Sequence, residues 1–101
     1  MSYAWEKLHM AIHSLAGEGT QRERLVGVGM NLIRLETKDF PDDLQEQFLD
    51  IKRRMSSIPA KGDEGTLVAT ARALDELELS SLVKDIVRLH DEITRRQEPF
   101  D

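Results

Sequence analysis

Apolar residues recur through most of this chain at spacings of three and four, and turn-forming residues interrupt the pattern at intervals. Leu44, Phe48, Ile51, Met55 and Ile58 show it most cleanly. With about 3.6 residues per helical turn, side chains three or four apart share one face. A half-buried strand needs alternation with a period of two, and no segment sustains it. The expected fold class is therefore all-α.

Punctuation falls at Gly17-Glu18-Gly19, at Asp39-Phe40-Pro41 and across residues 59–65. The spacing predicts a first helix over residues 2–16, with Trp5, Leu8, Ile12 and Leu15 on one face. Ser2 is the expected N-cap, and Gly17 the left-handed residue that ends the helix. A second helix is predicted over residues 21–37. Thr20 and Glu23 have the spacing of a capping box, in which hydroxyl and carboxylate each satisfy an amide of the first turn. Leu25, Val28, Leu32 and Leu35 form one stripe, with Val26, Met30 and Ile33 forming a second beside it. Two stripes make this helix the expected most buried element. Gly27 and Gly29 each cost about 1 kcal/mol against Ala inside a helix, which points to close approach of a neighbouring helix, with a backbone site for a ligand as the less favoured alternative.

A third helix is predicted over residues 41–57, with Pro41 at its first position, Asp42 and Asp43 against its positive end, and Pro59 as its stop. Residues 65–97 have the length for a single long helix. The stripe of Leu67, Ala71 and Leu74 would continue at position 78, which is Glu78. Asp75 and Glu78 have capping-box spacing, and a new stripe follows through Leu82, Ile86, Leu89 and Ile93. The expectation is a short helix to Leu74, a corner at Asp75 and a long helix to Arg96. Short connections favour antiparallel neighbours. The whole is expected as a compact, up-and-down-like bundle of four main helices with a short extra helix before the last, one domain over residues 1–101.

Composition narrows the function. Of 101 residues, 40% are hydrophobic and 33% charged, a globular balance too apolar for disorder. No apolar run approaches the roughly 20 residues of a membrane span. The segment Met1-Ser2-Tyr3-Ala4-Trp5-Glu6-Lys7 lacks the form of a signal peptide. The chain has no cysteine, which excludes disulfides, thiol catalysis and cysteine-ligated zinc and favours a cytoplasmic setting. The net charge of -5 argues against general affinity for nucleic acid.

Chemical sites are scarce. His9 and His13 are four apart, so two imidazoles share a helix face that a metal would need. His90 or Asp91 would supply a third ligand. His9 is not followed by Glu, so the zinc-protease pattern is missing, and surface or boundary histidines are the simpler reading. The segment Ile12-His13-Ser14-Leu15-Ala16-Gly17 resembles the phosphoacceptor segment of histidine phosphotransfer domains, which are helical bundles of similar size. The resemblance implies a phosphoryl-accepting role for His13. Ala16 stands where that family usually has a lysine, and the family's helix runs on past the glycine. The family also has a substantial helix upstream, whereas about a dozen residues precede His13 here.

Lys52-Arg53-Arg54 and Arg95-Arg96 fall in last turns, where cations complement the helix end. Asp50–Arg54, Asp91–Arg95 and Glu92–Arg96 are expected helical pairs. Residues 65–96 have the outline of a helix-turn-helix, but the second helix would begin with three acids. Ser14, Ser56, Ser57, Ser80 and Ser81 lie in no nucleophile motif, and no glycine segment matches a phosphate loop. Tyr3 and Trp5 are expected to staple the first helix to the bundle; Phe100 stands beyond the last. The functional expectation is a cytoplasmic, non-catalytic protein-interaction or regulatory module without cofactor or metal, binding another protein or a second copy of itself. The alternatives are phosphotransfer through His13 and a metal-binding bundle using His9 and His13.

Overall fold

The computed structural model describes residues 3–56 and 66–96, and among these every regular element is helical. Helix α1 spans Tyr3–Leu15, α2 Gln21–Leu32, α3 Gln45–Met55, α4 Thr66–Ala73 and α5 Glu76–Arg95. This is the expected all-α bundle, with the short helix and the corner before the last helix. The roles foreseen for Ser2, Ile58, Pro59 and Phe100, and for the side chain of Leu67, lie outside the described residues. Helix α1 packs on α2 and α5, α2 packs on α4, and α3 packs chiefly on α4 and α5.

Local chemistry explains the helix ends. The Thr20 hydroxyl accepts from the Glu23 amide at 3.1 Å and starts α2. Asp75 does the same for α5, accepting from the Glu78 amide at 2.8 Å. The α4–α5 corner is locked from outside by Arg22, whose guanidinium donates to the Arg72 carbonyl at 2.8 Å and to the Ala71 carbonyl at 3.4 Å. Those carbonyls lie in the last turn of α4, at the negative end of the helix, where a cation suits them.

Four expectations are corrected. Helix α2 ends at Leu32 rather than near Thr37. The chain then turns Leu35 fully inward, and Lys52 of α3 takes the Leu35 carbonyl at 3.0 Å. A reciprocal box between Glu36 and Asp39 starts a separate 3-10 turn over Thr37–Asp39. Gly17 is not the left-handed residue; Gly19 is, with φ of 100°, because α1 closes through a tight bond from the Gly17 amide to the Ser14 carbonyl. Pro41 is extended and precedes a 3-10 turn over Asp42–Leu44, so α3 proper begins at Gln45.

The fourth correction concerns burial. The core of α1 is Ala4, Leu8 and Ala11, with Trp5, Ile12 and Leu15 at its edges. Gly27 of α2 faces Ser14 of α1: a Cβ on Gly27 would lie 3.3 Å from the Ser14 Cβ. The expected close approach is thus present at Gly27. Helix α2 buries Leu25, Val28, Gly29 and Leu32 and half-buries Val26, whereas Met30 and Ile33 of the second stripe are 62% and 57% exposed. The most apolar inner face belongs to α5, where Leu79, Leu82, Ile86, Leu89 and Ile93 are all buried. Against it, α3 inserts Phe48, Ile51 and Met55, and Phe40 stacks on Phe48 with ring centroids 4.3 Å apart.

Candidate functional site

His9 and His90 meet at the seam between α1 and α5, and His13, the third histidine of the chain, touches His9. Trp5, His9 and His13 follow at intervals of four, which puts them along one side of α1. The Trp5 indole donates to the Thr94 hydroxyl of α5 at 2.9 Å, so Trp5 staples the two helices. Tyr3 does not join it; it is 45% exposed, with the Lys7 ammonium over its ring. The Trp5 and His9 rings stack at 4.6 Å, nearly parallel. His90 comes from α5 to lie 5.8 Å from the His9 ring, tilted by only 24°. His13 meets His9 edge-on, with their Nε2 atoms 3.1 Å apart.

That Nε2–Nε2 contact is a hydrogen bond only when one ring donates and the other accepts. His9 Nδ1 and His90 Nε2 are buried without a hydrogen-bond partner. His90 Nδ1 lies 4.0 Å from Asp91 Oδ1, too far for a hydrogen bond. Burial holds His90 below the usual imidazole range; His9 pushes the same way, and Asp91 opposes both.

The sequence-nominated metal ligands are therefore neighbours. Even so, no group of three or more His, Asp or Glu side chains among the described residues is arranged to hold a metal ion. A tetrahedral site needs nitrogens aimed at one point, whereas His9 and His90 lie nearly parallel, which suits stacking better than convergence. His13 is exposed on the outer side of α1. Helix α1 stops at Leu15, before Gly17, which is the departure from the phosphotransfer pattern seen in the sequence.

A second cluster surrounds Arg54. Its guanidinium reaches Asp85 at 2.5 Å, Asp50 at 3.1 Å and the Ser81 hydroxyl at 3.2 Å. Helical spacing predicts Asp50; only the packing of α3 on α5 brings Asp85 and Ser81. Partial burial works against the charge on Arg54, but the hydrogen bonds and charges of Asp85 and Asp50 together outweigh it and hold the guanidinium above its ordinary value. A recess of about 320 Å³ opens beside it, lined also by Leu74, Glu78 and Leu82. Glu78 is raised by its hydrogen bond to Asp75, which is lowered in turn by the Glu78 amide. These pairings describe a joint between helices, with the cation already balanced.

The other basic pairs are partly redrawn. Arg95 meets Glu92 at 3.3 Å in place of the expected Asp91. Arg96 keeps Glu92 at 3.9 Å and adds Asp43 at 2.6 Å, tying α5 to the turn before α3.

The third feature is the outer face of α2, where Val26, Met30 and Ile33 stand at i, i+4 and i+7. Val26 is half-buried at the edge of the core, and the other two are open to solvent. Glu23 on the helix and Arg34 in the turn just past its end, both exposed, flank the stripe. No family model matches this chain, and neither a curated protein nor a solved structure resembles it significantly. Among the described residues no helix is long and apolar enough to cross a membrane.

Proposed function

We propose that this chain is a non-catalytic cytoplasmic interaction module that receives an amphipathic helix of another protein along the outer face of α2. The observation that supports it is the exposed Met30 and Ile33 continuing from Val26. Spacings of four and three make one seam about two turns long, the anchor pattern of a helix laid against a helix. Methionine adapts its shape to a partner at little cost, and Glu23 and Arg34 provide a charged rim. A seam this short covers much less than the roughly 800 Å² per partner of a standard stable interface, so the binding is weak and reversible. The phosphotransfer reading of His13 draws support from its exposure alone, and Ala16 leaves unfilled the place of the family's lysine.

A photoreactive amino acid at position 30 tests the proposal in the native host. A cross-link to a helical segment of another protein, lost when Ile33→Glu is added, is the expected result. An Arg88→Ala control on α5 should retain it. Cross-linking only to a second copy of the chain, or equally with Ile33→Glu present, would refute the proposal.

A further inference from the structure

We propose that the His9–His13–His90 cluster is a proton-sensitive latch on the α1–α5 seam, closed when the rings are neutral and loosened by mild acid. On its inner side the seam is apolar: Leu8 of α1 and Leu89 and Ile93 of α5 are buried in the same core. At its edge it is an aromatic stack of Trp5, His9 and His90. Imidazole is the side chain whose charge normally changes between about pH 5 and 8.

The geometry leaves little place for an added proton on His90. A cationic imidazole carries N–H on both nitrogens. His90 Nε2 is buried with no acceptor, and Nδ1 is beyond hydrogen-bonding distance of Asp91. A buried donor without a partner is costly, and so is a second cation stacked against the first. The His9–His13 bond adds a further constraint, since two donors cannot share it.

The groups that bear on His90 are His9 across the seam, which adds repulsion once charged, and Asp91 on its own helix, which attracts. Several other charged groups on the packed elements are engaged elsewhere, whereas Arg24 of α2 has a buried Nε with no hydrogen-bond partner. On α1, Lys7 lies over Tyr3, and Glu6 is exposed. On α2, Arg22 holds the end of α4, and Glu23 holds Thr20. Asp43, before α3, holds Arg96; on α5, Glu92 holds Arg95 and Asp85 holds Arg54. The depressed affinity of His90 for protons sets the sign. The unfolded chain binds the proton more readily, so stability falls as pH drops through about 6.5 and levels off only below the folded value.

The test is the melting temperature between pH 7.5 and 5.5, with chelator present, together with the fluorescence of Trp5, the only tryptophan in the chain. The expected result is a fall of about 5 °C, with Trp5 emission shifting to the red over the same interval. His90→Gln, neutral at every pH, should flatten the fall. Nuclear magnetic resonance titration of the wild-type imidazoles provides a readout independent of that variant's folding, and the His90 midpoint should lie below 6.5. A melting temperature unchanged over this range, an equal slope in His90→Gln, or a His90 midpoint at or above 6.5 would each overturn the latch.

Discussion

Gly27 and Ser14 meet between α1 and α2, and the contact decides what each position tolerates. A Cβ on Gly27 would sit 3.3 Å from the Ser14 Cβ and 3.4 Å from its hydroxyl. Alanine there gains helix propensity and loses packing, two effects of similar size. Valine adds branches that the seam cannot admit. Gly27→Val should therefore destabilise the chain by about 1–3 kcal/mol in urea unfolding. Ser14→Gly added to it should recover part of that loss, because the two positions share one space. Additive losses would show that the clash lies elsewhere. The sequence signalled a close approach through a glycine inside a helix, yet nothing local to it named Ser14 as the neighbour.

Helices α2 and α5 begin in the same way, with an oxygen of Thr20 or Asp75 accepting the amide three residues on. These caps are encoded within four residues and were legible without a fold. Thr20→Ala should cost about 1 kcal/mol, and Thr20→Asp should recover most of it; chemical denaturation checks both. Loss of stability that Asp does not restore would mean that the Thr20 methyl group, not its oxygen, matters. Helix ends that depend on partners were less legible. Periodicity alone carries α2 on to Leu35, because Leu35 keeps the stripe's spacing. It is buried all the same, but outside the helix, with its carbonyl taken by Lys52 of α3. Local pattern reported that Leu35 is inside; the long-range bond decided the backbone conformation that puts it there.

At the scale of the molecule, α3 joins α5 through the ion pair of Arg54 with Asp85, while Asp50 pairs with Arg54 within α3. Both Asp50 and Asp85 reach it, but Asp85 is 29% exposed and Asp50 56%. Water screens the more exposed pair more strongly. Double-mutant cycles should give about 0.5–1 kcal/mol of coupling for Arg54 with Asp85 and less for Arg54 with Asp50, both weakened by salt. Equal couplings would mean that the link between the helices adds nothing beyond the local pair. The sequence by itself determined the helical class, the five segments, the corner at Asp75 and the buried stripes of α3 and α5. Those features arise from periodicity and capping within a few residues, where the chain's own geometry dictates which side chains meet. Only the tertiary structure decided that Met30 and Ile33 face solvent, that Asp85 meets Arg54, and that His90 stacks on His9. A helix's pattern says which residues share a face, but the neighbour each face receives depends on how helices distant in sequence rotate and cross to fill a common core.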